Sequence, residues 1–383
     1  MDTPGHELAM VAGEASGDLL AAQLLQGLQA RWPQWRAAGI GGPLMQAQGF
    51  AAWWPSEKLA VRGYVEVLRH YREIVGIRCQ LAERLLRQPP RVFVGVDAPD
   101  FNLELEGRLK AAGIPTVHFV APAVWAWRPE RVAQIRRCVD RVLCIFPFEP
   151  ELLARHGIDA HYVGHPLAQL IPLQPDRAQA RARLGLRLDA PVLALLPGSR
   201  AAEISHLLPR FLAACQRLLQ RVPGLQVVLP AVPALWEPIQ RQVALAGLAT
   251  RVQVLRGQSH DALAACDLTL IASGTATLEA ALFKRPMVIA YHMNPLSWWL
   301  TQRKRLQPWV GLPNILAGEF LVPELLQEAA TPQALADAAW RWLQPAAAAD
   351  VQALQQRFGA MHQTLLRDTP TLATDAIESL LAV

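Results

Sequence analysis

Ser273-Gly274-Thr275 sits between a short apolar run, Leu268–Ala272, and a segment that reads as a helix start, Thr277–Phe283. A strand, a turn of small residues and a helix N-terminus aim unpaired N–H groups and the positive end of the helix dipole at an anion. Glu279 lies four residues after Thr275, about one helical turn on. There its carboxylate can accept hydrogen bonds from ribose hydroxyls while the turn holds phosphates. Pro197-Gly198-Ser199-Arg200, after the run Val192–Leu196, repeats the arrangement and adds a guanidinium able to fork two phosphate oxygens. Gly13-Glu14-Ala15-Ser16-Gly17-Asp18 follows the run Leu8–Ala12, and its two glycines permit close approach of a ligand to backbone. Ser16 or Asp18 can cap the following helix. Glu14 has no such duty, which makes it a candidate functional carboxylate. Asp97 closes the run Arg91–Val96 and is the candidate general base, because ligands of doubly wound sheets sit at the carboxyl ends of the strands. Each feature also has a plainer reading: a generic strand–turn–helix, a surface arginine, a turn aspartate.

These residues need a scaffold, and the pattern supplies one. Short apolar runs alternate with amphipathic helical segments: Leu8–Ala12, Ala38–Gly42, Arg91–Val96, Thr116–Val120 and Arg141–Ile145, then Val192–Leu196, Leu225–Leu229, Arg251–Leu255, Leu268–Ala272 and Pro286–Tyr291. Fully apolar runs of this length read as buried parallel strands, so the fold class is α/β. The charged stretch from Pro172 to Arg187 reads as a linker between two such halves, with the natural active site in the cleft between them. At 383 residues, 52% hydrophobic and 18% charged, the chain can bury two cores. His118 lies inside a strand, where a lone histidine is more often core than catalytic, and Trp125 and Trp127 either line a groove or pack.

The net charge of +5 suits an anionic partner. The five cysteines are odd in number and form no Cys-x-x-Cys pair, which points away from a disulfide framework or a zinc site and fits a reducing cytoplasm. The N-terminus does not read as a signal peptide, and no apolar stretch reaches the ~18–20 residues of a spanning helix. Neither a Gly-x-Gly-x-x-Gly signature nor an Asp-x-Asp pair occurs, which disfavours a nicotinamide enzyme and a transferase with a carboxylate-held metal. From Leu59 to Leu86 apolar residues interleave with Arg62, Arg69, Arg72 and Arg78, and Met293–Pro313 carries Trp298, Trp299, Arg303, Lys304, Arg305 and Trp309. Both stretches read either as packing or as a surface that dips into a membrane interface.

Nine motifs then occur in order: Gly13–Asp18, Gly39-Ile-Gly-Gly42, Val94-Gly-Val-Asp-Ala-Pro-Asp-Phe-Asn102, Pro122-Ala-Val-Trp-Ala-Trp127, Phe146-Pro-Phe-Glu149, Val163-Gly-His-Pro166, Leu196-Pro-Gly-Ser-Arg200, Ala272–Glu279 and Leu312-Pro-Asn-Ile-Leu-Ala-Gly318. Together they resemble the lipid-A-disaccharide synthases over nearly the whole chain. The resemblance implies two Rossmann-like domains of GT-B type facing a central cleft, with C-terminal helices crossing back toward the N-terminal domain. Residues 1–172, completed by 346–383, would form the acceptor and membrane side, and 173–345 the donor side.

It further implies an inverting, metal-independent transfer without cofactor, from UDP-2,3-diacylglucosamine to the 6-hydroxyl of 2,3-diacylglucosamine 1-phosphate. The products are the β-1,6 disaccharide 1-phosphate and UDP, made peripherally on the cytoplasmic face of a Gram-negative inner membrane. By position, Asp97 resembles the base. Ser199, Arg200, Ser273, Gly274 and Thr275 resemble the diphosphate site, Glu279 the ribose ligand and Asn314 a donor-side contact. Gly13, Glu14, Ser16 and Gly17 form the matching glycine loop. The expected partners are these two substrates, an anionic membrane surface and a second copy of the chain, with no nucleic acid. Gln169, Gly311 and Arg62 stand where the family pattern more often has an acid, a serine and an apolar residue. The competing readings are another UDP-sugar enzyme of the same fold, such as a 2-epimerase, and a non-enzymatic basic lipid-binding protein.

Overall fold

The structure, a computed structural model, describes residues 7–59, 64–126, 129–294, 298 and 306–382. The chain divides into two compact units, Met1–Pro166 with Leu365–Val383, and Leu167–Thr364.

The first unit is built on seven parallel strands: β1 (Leu8–Ala12), β2 (Ala37–Gly41), β3 (Ala51–Pro55), β4 (Val92–Val96), β5 (Thr116–Phe119), β6 (Arg141–Cys144) and β7 (Ala160–Tyr162). Their order in space is β3-β2-β1-β4-β5-β6-β7. The helices are α1 (Ala15–Arg31), α2 (Pro43–Ala47), α3 (Tyr64–Arg87), α4 (Pro99–Ala111), α5 (Arg131–Cys138) and α6 (Glu149–Ala154). β1 and β4 are buried along their whole length, as all-apolar central strands must be. The winding direction reverses between these two strands, which pair from Leu8 opposite Val92 to Ala12 opposite Val96. Such a reversal opens a crevice at the strands' carboxyl ends, and the Glu14 loop and Asp97 leave the sheet there.

The second unit repeats the plan with β8 (Val192–Leu196), β9 (Gln226–Ala231), β10 (Val252–Arg256), β11 (Leu268–Ala272), β12 (Met287–Tyr291) and β13 (Glu324–Leu326), ordered β10-β9-β8-β11-β12-β13. Its helices include α7 (Pro166–Leu170, which begins at the last residue of the first unit), α8 (Arg177–Leu184), α9 (Ala201–Arg221), α10 (Trp236–Leu245), α11 (Ser259–Ala265) and α12 (Thr275–Leu282). Here the reversal lies between β8 and β11, whose carboxyl ends carry Ser199-Arg200 and Ser273-Gly274. One face of α9, with Ile204, Leu207, Leu208, Phe211 and Cys215, packs into the core of this unit.

Several expectations change. The stretch expected to be linker contains a helix, α8, capped at its start by Asp176, which accepts from Gln179 N at 2.8 Å, and ended by Gly185 at φ 67°. Arg181 of that helix is buried and donates to the carbonyls of Ala265, Leu188 and Ala190 and to Asp267. The units exchange at Pro166/Leu167 and Thr364/Leu365, where the sequence suggested 172/173 and 345/346, so the helix Ala348–Leu365 counts with the second unit. The last helix, Thr369–Leu381, belongs to the first unit and lies on α1. Gly27 makes that approach possible, since a Cβ there would stand 2.5 Å from Pro370 O and 2.6 Å from Thr374 Oγ1. Arg31 pairs with Asp375 and Glu378, and Arg141 donates to Ala376 O and Ser379 Oγ.

In the second half of α3, Ile77, Leu81, Ala82 and Leu85 pack into a core cluster. Arg78, expected on a basic face, is buried against Phe101 and pairs with Glu104. Val61, Arg62, Trp127, Trp299, Arg303, Lys304 and Arg305 lie outside the described residues.

Candidate active site

Asp97 is the first residue beyond β4 and is held by two other elements. Its N–H donates to Phe119 O of β5 at 2.8 Å, and its carbonyl accepts from Asn102 Nδ2 of α4 at 2.8 Å. Asp97 and Ala98 have φ of 53° and 43°. Two consecutive non-glycine residues in the left-handed region are strained, and strain of this kind persists where surrounding structure over-determines it. Its effect is to carry the chain from strand to helix within two residues. Burial raises the Asp97 pKa above the usual carboxylate range, His118 and the Ala98 N–H pull it back, and Glu14 pushes it up. The last influence places the Glu14 and Asp97 carboxylates in one electrostatic neighbourhood. Glu14 stands at the N-cap position of α1 with extended backbone, and its carboxylate does not cap that helix.

Asp18 proves structural, but for a different helix than expected. It is buried and accepts from the N–H groups of Gly42, Leu44 and Met45 at 3.0, 2.9 and 3.1 Å, closing the start of α2. Ser16 is exposed, whereas Gly13 and Gly17 are buried under the turn. Asp100, three residues on, is turned outward and paired with Arg131.

His118 is not an isolated core histidine. Its Nδ1 lies 2.8 and 3.1 Å from the two carboxylate oxygens of Glu106 on α4, and both side chains are fully buried. Gly95, paired with His118 across the sheet, leaves the room: a Cβ there would collide with Glu106 Oε1. The sequence does carry a signal for Glu106, which lies four residues after Asn102 and therefore on the same helix face. Two polar residues on a buried face call for partners.

In the second unit the loop after β8 is organised by a residue the sequence reading passed over. Glu203 Oε2 accepts from Ser199 N at 3.0 Å and Arg200 N at 3.3 Å, while Oε1 receives the Arg200 guanidinium at 3.1 Å. Gly198, at φ 117°, leaves space for that carboxylate, since a Cβ would stand 2.5 Å from Glu203 Oε2. The two amides expected to cradle phosphate are thus occupied by the chain's own carboxylate, while the Arg200 side chain stays exposed. Tyr291, at the end of β12, feels both members of this pair. Burial raises its pKa, with Glu203 adding to the shift and Arg200 opposing it.

The loop after β11 keeps its backbone open. Gly274 has φ 152°, no atom within 4 Å of a Cβ position, and is exposed together with Thr275. The Ser273 hydroxyl donates to Val310 O at 2.8 Å and Thr277 Oγ1 to Gly274 O at 2.7 Å, so these hydroxyls shape the turn. Glu279 lies one turn into α12, its pKa raised by burial and drawn down by His260 of α11, whose Nε2 is 3.8 Å from Glu279 Oε2.

Asn314 departs most from expectation. It is fully buried, its Oδ1 accepts from Leu321 N and Val322 N, and its Nδ2 donates to Val322 O and Glu324. Glu324 in turn accepts from Val310 N and Gly311 N at 2.9 Å each. Asn314 therefore ties the loop that Ser273 touches, and a polar residue in a short helical motif gives no hint of which way it faces. Gly311 is backed by Ile289, against which a Cβ would collide.

Residues 8–377 match a family profile described as lipid-A-disaccharide synthetase. The lipid-A-disaccharide synthase of Albidiferax ferrireducens is 61% identical over 378 residues, covering 98% of this chain and 97% of that protein. That of Verminephrobacter eiseniae is 62% identical with the same coverage, and that of Bordetella pertussis 52% identical over 384 residues, covering 97% of each. Among solved structures, a UDP-GlcNAc 2-epimerase from Neisseria meningitidis bound to UDP-GlcNAc superposes with a TM-score of 0.64 at 12% identity, covering 98% of this chain and 100% of that one. A glycosyltransferase from Rickettsia africae superposes at 0.61 and 10% identity, covering 99% and 98%. At these identities the structural likeness is one of fold.

Proposed function

The chain belongs to the lipid-A-disaccharide synthase family, and on that premise we propose how its two sheet edges divide the reaction. It is a glycosyltransferase of GT-B fold with a UDP-sugar donor and a lipid acceptor, in lipid A and lipopolysaccharide biosynthesis. The donor we assign is UDP-2,3-diacylglucosamine, bound by the second unit, and the acceptor 2,3-diacylglucosamine 1-phosphate, bound by the first. The open amides of Gly274 and Thr275 and the Arg200 guanidinium meet the diphosphate. Glu279 takes the ribose hydroxyls.

Asp97 is the base. The acceptor 6-hydroxyl gives its proton to the Asp97 carboxylate, its oxygen forms the new bond to the donor's anomeric carbon, and the bond from that carbon to the diphosphate oxygen breaks, releasing UDP. Attack opposite the leaving group inverts the centre. The observation that carries this reading is the geometry of Asp97: an aspartate forced into a left-handed turn at the reversal point of the sheet, partly desolvated and beside Glu14. A base so placed contributes ~10²–10⁴-fold in rate.

Product analysis with both acylated substrates tests it. The disaccharide 1-phosphate and UDP form together, UDP-sugar alone yields no epimer, and Asp97→Asn lowers turnover ~10²–10⁴-fold with UDP affinity kept. Retained turnover in that variant removes Asp97 from the role. Turnover also survives EDTA, because the sequence lacks the Asp-x-Asp pair and answers the leaving charge with arginine and helix dipoles. Loss restored by Mg²⁺ overturns that.

The enzyme works at an anionic membrane surface, on the cytoplasmic face of the inner membrane. Among the described residues no helix is long and apolar enough to cross a bilayer. Support for peripheral contact comes from Leu306, 53% exposed, from Phe320, 62% exposed and edge-on to Trp309, and from the acyl chains of the substrates. Salt releases the protein from anionic vesicles if charge contributes to that contact.

A further inference from the structure

We propose that the second unit carries a second anion site, separate from its donor loops: a cavity at the amino ends of β8, β11 and β12 that takes a small phosphate monoester with an apolar body. The site lies outside the transfer chemistry and stands whichever residue is the base.

The cavity has a volume of about 340 Å³ and is lined by residues of the second unit alone. Pro191 and Asp267 on its wall directly precede β8 and β11, and Arg285 comes two residues before β12. The donor loops leave the opposite ends of β8 and β11, so the length of those strands separates the two places.

Arg285 is the central observation. The residue is 7% exposed, and two of its nitrogens are taken: Nε donates to Leu263 O at 2.9 Å and Nη2 to Ala264 O at 2.7 Å. Those bonds close the last turn of α11 and lock the guanidinium plane. Nη1 meets no acceptor among the described residues and is not sealed from solvent, which leaves its two hydrogens for the cavity that Arg285 lines. A largely buried donor without an acceptor is unfavourable, and an oxyanion in the cavity relieves it.

The charge balance points the same way. Arg177, half-buried on the cavity wall, has Nη2 2.7 Å from Asp267 Oδ1. The other oxygen of Asp267 already accepts from Arg181 Nη2 and Val192 N at 2.7 Å each. Asp189, largely exposed, pairs with Arg187. Four guanidiniums therefore stand against two carboxylates, an excess of two positive charges. Asp350 and Arg341 line the adjoining cavity beyond Trp342 and Gln344 and offset each other. A phosphate monoester brings nearly two negative charges at pH 7 and three acceptor oxygens, whereas a carboxylate brings one charge. Leu188, 63% exposed, lies on the same wall as Trp342, Leu343 and Val351, and these supply an apolar surface for the organic part of the ester.

The test is calorimetric titration of phenyl phosphate into the whole protein under saturating UDP, which keeps the donor loops filled. One equivalent binds. Arg177→Gln weakens that binding about tenfold, the loss of one charge-assisted contact, and Arg285→Gln weakens it at least as much. UDP affinity stays within twofold in both variants. Phenol, which has the same body without the charge, and benzoate, with one negative charge in place of two, bind about tenfold or more weakly. Absence of binding under saturating UDP, or binding that neither variant weakens, overturns the site. A parallel fall in UDP affinity makes the loss a damage to the whole unit and rejects it too. Phenol or benzoate binding as tightly as phenyl phosphate overturns the ligand class. Should Arg285→Gln fail to fold, Arg177→Gln decides alone, and an unchanged affinity there rejects the proposal.

Discussion

Glu203 and Arg200 close a ring at the start of α9: one carboxylate oxygen takes the Arg200 amide at 3.3 Å and the other its guanidinium at 3.1 Å. The same helix start that could hold an external anion holds an internal one. Arg200, 65% exposed at its side chain, is therefore aimed by Glu203 and remains open on its outer edge.

Arg200→Ala should weaken UDP binding by ~1.5–3 kcal/mol, the worth of a charge-assisted hydrogen bond to phosphate. Isothermal titration with UDP checks this, and an unchanged Kd would show that the guanidinium does not reach the diphosphate. Glu203→Gln should weaken UDP less, because the amide oxygen still accepts from the loop while the aim of Arg200 is loosened.

Ala98 offers a test of backbone strain. An L-residue in the left-handed well costs ~1–2 kcal/mol, and glycine gives back part of that as added chain entropy. Ala98→Gly should therefore stabilise by about 0.5–1 kcal/mol in urea unfolding. A loss of stability would mean that the Ala98 methyl group contributes more by packing than its conformation costs.

Glu149 gives a pH signature. Its buried carboxyl accepts from Trp125 Nε1 and Phe146 N at 3.0 Å each, yet burial pushes its pKa up from 4.5 to about 7. A folded-state value above the unfolded one means stability fully present below pH ~4.5 and lost as pH rises through ~7. The advantage of wild type over Glu149→Gln should shrink by on the order of 3 kcal/mol across that window. Urea titrations of both proteins from pH 4.5 to 7.5 measure it, and a pH-independent difference would place the Glu149 pKa near its ordinary value. His165, whose pKa is lowered by burial to about 4, acts with the opposite sign, its stability being lost as pH falls from ~6.5. The two partly cancel in wild type, so the comparison with the variant is needed.

Arg181 is the anchor of the second unit. Its side chain is 1% exposed and joins four carbonyls, those of Ala265, Arg187, Leu188 and Ala190, to Asp267 at 2.7 Å. Arg181→Met strands those acceptors and should destabilise by ~3–5 kcal/mol, as removal of one partner of a buried pair does. A change below ~1 kcal/mol in thermal or urea unfolding would show that water replaces the guanidinium.

The main strands were legible because parallel central strands are continuous apolar runs, and Asp97 because it ends one. β3, β7 and β13 escaped notice: Ala51–Pro55, Ala160–Tyr162 and Glu324–Leu326 are short or lie at a sheet edge, and their exposure breaks the apolar signal. The Arg200 motif reads correctly as a glycine loop before a helix. Glu203 sits at the spacing of a capping box, and attention to that spacing would have shown which amides were already taken. Asn314 marks the boundary of what pattern can tell: it is a polar residue in a short helix, and only tertiary packing decides that it faces inward to Val322 and Glu324.

The docking of the last helix on α1 sets an order of events during synthesis. Gly27 and the face around it are complete soon after the first strands emerge, yet their covering helix is translated only after the whole second unit. At ~5–20 residues per second the intervening second unit, roughly 200 residues, takes about 10–40 s to make. Throughout that interval the amino-terminal unit lacks one of its layers, and the surface awaiting Pro370 and Thr374 is open to chaperones. A stop codon at Asp368 would leave the second unit whole and damage the first, which is translated before it.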